Sequence, residues 1–330
     1  MIKVISPGKL ILSGEHAVVY GAPACALAVN KTMHGEYQSR TDDIISIRNV
    51  DFNIEASLNM SEILALRDEL LKRYEAFTKN KLTINQVITN PLELCWFAIS
   101  QVFAAVTSWP LACGFDIQLK ADIPLGCGMG SSAALIVNLI LGVNSLFDLS
   151  LSQEKIYELA LAAENLQHGR SSGLDIKLSL TGGIHAFQHH QLTPLAIQTL
   201  PFQYVNSGKP QSTTGECVAF VKQQNFPATL WKEFEKTTKD FIVALKNNNK
   251  IDLIEIIKKN HHLLCEIGVV PKHIQTLIAD IEAQGGAAKI CGAGSIRGDN
   301  AGIILVTNNI DLPEATLLTD IHPGSMMTRY

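Results

Sequence analysis

Residues 124–134 read Pro124-Leu125-Gly126-Cys127-Gly128-Met129-Gly130-Ser131-Ser132-Ala133-Ala134. Glycines at alternate positions follow a strand-like segment and lead into the most apolar stretch of the chain, Ala133 to Phe147. Glycine lets backbone N–H groups approach a ligand closely, and a helix starting at Ser131 adds unpaired N–H donors and a positive dipole end. Ser131 and Ser132 in that first turn can bind phosphate oxygens or help to hold Mg²⁺. A tight strand-to-helix turn capped by Ser131 is the plainer reading, but a cap does not need a run of alternate glycines. The segment is not a Walker A loop. Nor is it a Rossmann fingerprint, because the sixth position of that pattern is Ser131 here. The apolar stretch itself is too short for a membrane span and carries Asn138, Gly142 and Asn144, so it reads as a buried central helix.

The chain around this segment has 330 residues, with 47% hydrophobic and 18% charged. That composition supports a large core and excludes a disordered chain. Lys and Arg total 27 against 31 Asp and Glu, a net charge of −4, so no overall basic balance points to nucleic acid or an anionic membrane. Cys25, Cys95, Cys113, Cys127, Cys217, Cys265 and Cys291 are odd in number and scattered, without a CxxC pair. This argues against a disulfide framework or structural zinc and for the reducing cytosol. The N-terminus runs straight into a strand-like segment without signal-peptide features.

Lys3–Leu12, interrupted at Pro7-Gly8, and Ala22–Val29 read as strands. Glu36–Arg40 and Ile44–Arg48 read as a hairpin turning at Asp42-Asp43. Helices are expected over Ser61–Phe77, after the capping box Asn90-Pro91-Leu92-Glu93, over Ser131–Phe147 and over Ser152–Gln167. Phe115–Leu119, Ile176–Leu180, Gly183–Phe187 and Cys217–Val221 read as extended. Helices follow near Ala228–Lys246, Ile251–Ile267 and Pro271–Ala283. Strands Ala287–Cys291 and Ala301–Val306 flank a Gly-rich loop. Strands and helices mix without a βαβ rhythm, which favours two α+β domains, 1–190 and 191–330, divided in the polar stretch His189–Pro194.

Three further segments carry chemistry. Pro7-Gly8-Lys9 through Gly14-Glu15-His16 sets a cation, an anion and an imidazole around a strand end. Glu164-Asn165-Leu166-Gln167-His168-Gly169-Arg170-Ser171-Ser172-Gly173-Leu174-Asp175 contains a GxSxG match. A serine-hydrolase elbow needs a strand before Ser171, however, and a helix precedes it here. Lys289-Ile290-Cys291-Gly292-Ala293-Gly294 is a second glycine turn after a strand.

Together and in this order the segments resemble the GHMP small-molecule kinases. Pro124 through Gly128-Met129-Gly130-Ser131-Ser132-Ala133-Ala134 is similar to that family's Pro-x3-Gly-Leu-Gly-Ser-Ser-Ala-Ala. Gly14-Glu15-His16-Ala17-Val18-Val19-Tyr20-Gly21 looks like its mevalonate kinase branch. Galactokinases continue Gly-Glu-His with Thr-Asp-Tyr, and phosphomevalonate kinases usually place Tyr at position 16. Asn206 through Gly208-Lys209-Pro210 to Ser212-Thr213 resembles a substrate-side loop of the isoprenoid kinases.

The resemblance implies an N-terminal domain like ribosomal protein S5 domain 2, a ferredoxin-like C-terminal domain and a cleft between them. It implies ATP-dependent phosphorylation of the primary hydroxyl of mevalonate in cytosolic isoprenoid-precursor synthesis, and a possible homodimer without nucleic-acid or membrane partners. Gly126, Cys127, Gly128, Met129, Gly130, Ser131, Ser132 and Ala133 would cradle the ATP phosphates. Ser132 and Glu164 would hold Mg²⁺. Asp175 would accept the hydroxyl proton with Lys9 beside it. Glu15, His16, Thr213, Gly292 and Ala293 would meet mevalonate. Alternatives are a phosphomevalonate or sugar kinase, a non-catalytic family member, and the serine hydrolase.

Lys289 through Gly292-Ala293-Gly294 resembles the family's third motif. Met129, Cys127 and Cys291 depart from the family's usual residues, as does Ser295-Ile296-Arg297-Gly298-Asp299-Asn300 after that motif. Two expectations follow from these departures. Cys127, before a helix start, is either a thiol of depressed pKa or a buried, inert one. Arg297 either reaches into the cleft toward an anion or pairs with Asp299 at the surface.

Overall fold

The computed structural model describes residues 1–106, 114–197 and 199–330. Cys113 lies outside the described residues; Cys25, Cys95, Cys127, Cys217, Cys265 and Cys291 are free thiols. In chain order the strands are β1 (Ile2–Ser13), β2 (Ala24–Ser39), β3 (Ile44–Asn49), β4 (Ile54–Asn59), β5 (Phe115–Ala121), β6 (Ile184–Gln188), β7 (Gln191–Pro194), β8 (Phe202–Asn206), β9 (Ala288–Ile290), β10 (Ile303–Thr307), β11 (Thr316–Leu317) and β12 (Met326–Arg329). The helices are α1 (Met60–Thr78), α2 (Pro91–Ala105), α3 (Ser131–Leu146), α4 (Gln153–His168), α5 (Leu174–Thr181), α6 (Thr214–Gln223), α7 (Ala228–Lys246), α8 (Lys250–Glu266) and α9 (Lys272–Ala283).

The first sheet runs β12-β1-β2-β5-β3-β4, with β6 on the early half of β2 and β7 beyond it. The second runs β11-β8-β10-β9. The C-terminal strand β12 therefore pairs with β1, Ile2 opposite Arg329, and ties the end of the chain back to the first sheet.

The expected hairpin between β2 and β3 does not form, because β5 inserts between them. It is antiparallel to β2 and parallel to β3. The Asp42 turn is held open for it: the Arg40 guanidinium reaches both Asp42 and Asp116, and the Gly114 N–H donates to the Asp42 carbonyl.

Helix α3 lies on β1 and β2 at the centre of the larger core. Ile136, Val137, Leu139, Ile140 and Val143 are fully buried, each contributing about 1.5–3 kcal/mol of transfer free energy. Asn138, also fully buried, is satisfied rather than stranded. Its Nδ2 donates to the Val4 and Met33 carbonyls, and the Tyr37 hydroxyl donates to its Oδ1 at 2.7 Å. Gly142 lets the Tyr37 ring reach this position, since a Cβ there would lie 2.1 Å from Tyr37 Cζ. Among the described residues no helix is long and apolar enough to cross a membrane.

Two extended expectations are corrected. Residues 176–180 lie in α5, where Leu174 and Leu178 bury against Ile11, Ala24 and Phe187 while Ile176 joins the main core. A short run buried on both sides carries no periodicity that separates strand from helix. Residues 217–221 lie in α6, begun by a capping box in which Thr213 accepts from the Glu216 N–H and Glu216 returns to the Thr213 N–H. That Thr-x-x-Glu signal outweighs the β-like composition of Cys217–Val221.

Candidate functional site

A cleft of about 380 Å³ opens between the two sheets. It is lined by the ends of β1, α4 and α5, the glycine loop and residues from the second half including Lys209, Thr214, Gly292 and Ala293.

The glycine loop alternates in a way that explains its composition. Gly126, Gly128 and Gly130 line the cleft, while Cys127 and Met129 bury their side chains in the core. The three glycines have φ of +72, +87 and +72°, a region L side chains rarely adopt. Each is also crossed by a different neighbour. A Cβ at Gly126 would meet Lys209 Cε at 3.1 Å, at Gly128 the Cys291 carbonyl oxygen at 2.8 Å, and at Gly130 Lys9 Cγ at 2.9 Å. Gly130 is the N-cap of α3 and supplies no side-chain cap, so the first-turn N–H groups of the helix stay free for a ligand.

Lys9 reaches the loop because β1 breaks register at Pro7-Gly8. There the Lys9 N–H leaves the ladder and donates to the Met129 carbonyl at 2.9 Å. Its Nζ donates to the Gly128 carbonyl at 3.1 Å and lies 3.2 Å from Asp175 Oδ2. The Lys9 side chain is 6% exposed and that of Asp175 26%, so the cation is sheltered and the carboxylate faces the cleft.

Asp175 sits in the first turn of α5, after Gly173 with φ +77°. The turn between α4 and α5 is organised by Ser171. Its N–H donates to Asn165 Oδ1, its Oγ accepts from the Gly173 N–H, and its hydroxyl donates to Glu164 Oε2 at 2.6 Å. The element leading into the Ser171 turn is helix α4 and not a strand, so the nucleophile-elbow context is absent. Glu164 is 3% exposed. Burial, and then the nearby Asp175 charge, push its carboxyl up to about 8, against the opposing Ser171 hydrogen bond and Lys9. Ser132 Oγ lies 3.2 Å from His168 Nε2, and burial lowers the His168 pKa, so that ring is neutral near pH 7.

On the other wall Glu15 and Lys289, both fully buried side chains, form an ion pair joining the end of β1 to β9. Among the described residues Glu15 Oε2 has no hydrogen-bond partner. Burial pushes the Glu15 carboxyl up while Lys289 opposes it. His16 has φ 59°, and its Nε2 lies 3.0 Å from the Ala293 carbonyl. Burial lowers its pKa to about 4. A neutral ring that donates from Nε2 leaves Nδ1, which has no partner among the described residues, as an acceptor.

Of the sequence candidates, Lys9, Glu15, His16, Gly126, Gly128, Gly130, Ser131, Ser132, Glu164, Asp175, Gly292 and Ala293 line this cleft. Cys127 and Met129 lie in the loop and Ala133 in the first turn of α3, all with their side chains buried. Thr213 does not line the cleft: its hydroxyl caps α6, and Thr214 beside it faces in. The depressed thiol expected at Cys127 is corrected, since burial raises its pKa. The Arg297 expectations are corrected as well, because its guanidinium pairs with Glu216 at 2.6 Å, neither in the cleft nor with Asp299. Sequence reasoning gave no role to His168, Arg170, Lys209 or Lys289. Each nevertheless lies inside a segment the sequence singles out, and Lys289 stands out further as a charged residue inside an otherwise apolar strand.

A family profile described as GHMP kinases N terminal domain matches residues 93–183. The mevalonate kinase of Archaeoglobus fulgidus is 30% identical over 88% of this chain and 88% of its own. That of Pyrococcus horikoshii is 28% identical over 89% and 87%. The crystal structure of the Methanococcus jannaschii mevalonate kinase superposes with a TM-score of 0.74 at 26% identity, covering 94% of this chain and 90% of that one.

Proposed function

This chain belongs to the GHMP kinase family, and from that premise we propose that it transfers the terminal phosphoryl group of ATP to the primary hydroxyl of mevalonate. The observation that carries the reading is the Lys9–Asp175 contact at 3.2 Å beside an uncapped helix start and a glycine cradle. Lys9 and Asp175 are 166 residues apart in sequence, yet they form an acid–base pair at the mouth of an anion site.

Residues 126–133 hold the ATP phosphates through backbone N–H groups and the Ser131 hydroxyl. Asp175 receives the proton of the acceptor hydroxyl, and Lys9 steadies the negative charge on that oxygen. A carboxylate is a weak base for an alcohol, but a loose transition state needs little proton transfer before the phosphoryl group moves. Positioning and charge neutralisation then supply most of the acceleration.

Ser132, with its hydroxyl, and Glu164, with its carboxylate, suit Mg²⁺, a hard cation usually held by one or two carboxylates and the substrate phosphates. The buried Glu164, destabilised as an anion by burial and by Asp175, is the group a divalent cation would relieve. When bound, Mg²⁺ supplies charge neutralisation at the phosphates.

On the acceptor side the His16 Nδ1 lone pair accepts a hydrogen bond from a hydroxyl or other donor of mevalonate. The Glu15–Lys289 pair fixes the strand end that carries His16, and Gly292 and Ala293 form the facing wall. Thr213 starts α6 so that Thr214 faces the cleft. The proposal includes a cytosolic setting, a homodimer, and division of the chain near residue 190, with β12 returned to the first domain.

A coupled ADP-release assay over mevalonate, phosphomevalonate, galactose and homoserine tests it. Turnover with mevalonate at least tenfold above the others supports the reading. Turnover confined to another acceptor, or ATP-independent labelling of Ser171 by a fluorophosphonate with no ADP release, overturns it.

A further inference from the structure

The geometry points to Lys209 as a second cation of the phosphate loop, contacting the leaving, β-phosphate side of the bound nucleotide from the opposite half of the molecule. This role rests on the ATP reading of the cleft. Lys209 lies between β8 and α6, on a segment anchored to the start of β10. The Ser207 N–H donates to the Gly302 carbonyl at 2.9 Å, and the Gly302 N–H donates to the Gly208 carbonyl at 3.1 Å. Gly208 has φ +99°, and Asn300 packs where its Cβ would be. The backbone that presents Lys209 is therefore held in place.

Its side chain lies across the first glycine of the loop, with Cε, Cδ and Cγ 3.1, 3.5 and 3.6 Å from a Cβ built on Gly126. The corresponding place at Gly130 is crossed by Lys9. Two lysines thus bracket one glycine cradle, and their charges are in different circumstances. Lys9 is engaged by Asp175 and the Gly128 carbonyl. Lys209 makes no ion pair among the described residues, and residues 124–134 hold no carboxylate beside it. An anion along the loop would meet Lys9 at one end and an uncompensated ammonium at the other.

The order of the two ends decides which phosphate each lysine faces. Lys9 touches Asp175, the acceptor side, so the transferred phosphoryl group lies at the Gly130 end. The Gly126 end then receives the part of the nucleotide that leaves. Negative charge grows on that leaving group as the bond to it loosens, and a fixed cation there stabilises the transition state as well as the bound nucleotide.

The test compares wild type, Lys209→Met and Lys209→Arg in binding of MgATP, MgADP and AMP without acceptor, by calorimetry, together with steady-state kinetics. Lys209→Met should weaken MgATP and MgADP alike by roughly tenfold to a hundredfold, the range of a lost charge-assisted bond. It should leave AMP and the KM for mevalonate within about twofold of wild type and lower kcat, and Lys209→Arg should recover most of the loss. Unchanged MgADP affinity in Lys209→Met overturns the proposal, as does an equal loss for AMP. Failure of the wild type to bind MgATP would instead remove the ATP reading, and this role with it.

Discussion

Replacing Lys289 by methionine removes a fully buried cation that pairs with Glu15 of the cleft wall. Lys289 is fully buried, and its Nζ donates to Glu15 and, at 2.8 Å, to the Ile290 carbonyl. Glu15 is 1% exposed, with one carboxylate oxygen already lacking a partner among the described residues. Methionine keeps much of the stem and deletes the cation, which leaves a carboxyl group in a low-dielectric site. Breaking a buried pair from one side costs about 3–5 kcal/mol. For 330 residues the unfolding entropy is about 0.7 kcal/mol/K, so the expected fall in Tm is roughly 4–7 °C.

The sign of the pH dependence follows from the same contact. Burial already raises the Glu15 pKa from its ordinary value of 4.5, and Lys289 is the main opposing influence. Without Lys289 the folded protein binds a proton that the unfolded chain does not, in the window between 4.5 and the elevated folded value. Stability there falls as pH rises, so the deficit of Lys289→Met shrinks from pH 8 toward pH 5. Thermal unfolding by circular dichroism across that range measures it. The double variant Glu15→Leu/Lys289→Met buries no charge and should recover at least half of the lost Tm. A single variant within about 1 °C of wild type at pH 8, or a deficit that does not shrink toward pH 5, refutes the reasoning.

Asp175→Asn should bind MgATP as wild type does and lose roughly a hundredfold or more in kcat, as a group acting mainly in the transition state requires; wild-type turnover would end the assignment. Ser132→Ala and Glu164→Gln should each raise the Mg²⁺ concentration for half activity by roughly tenfold, and overlapping titration curves would remove both from the metal site. Arg297→Ala should leave both KM values unchanged, because its guanidinium is 57% exposed and pairs with Glu216, a contact worth under about 1 kcal/mol; a raised KM would place it in the cleft. His16, lowered from 6.5 to about 4 by burial, contributes stability that is present above pH 6.5 and lost as pH falls toward 4. In His16→Gln the urea midpoint should fall less over that interval, and an unchanged slope would show that the ring takes up its proton freely in the folded state.

The sequence alone was enough for whatever depends on neighbours along the chain. The cap and capping box before α2, the Ser152 cap of α4 and the strand–glycine–helix order around residue 130 were all legible, because each is closed by groups a few residues apart. The need for glycine at 126, 128 and 130 was legible too, but not its cause. Lys209, the Cys291 carbonyl and Lys9 cross those positions from three distant parts of the chain. Distance in sequence also hid the insertion of β5 between β2 and β3 and the return of β12 to β1, since strand partners are chosen by which edges are left unpaired after collapse. The same holds for the site's electrostatics. Lys9 and Asp175 are ordinary residues until they face each other, and Glu164 resists ionisation only because folding removes its water and sets Asp175 beside it. Residue types and local spacing selected the groups that could do chemistry. Burial and through-space charge, which exist only in the folded molecule, decided which of them meet and in what protonation state.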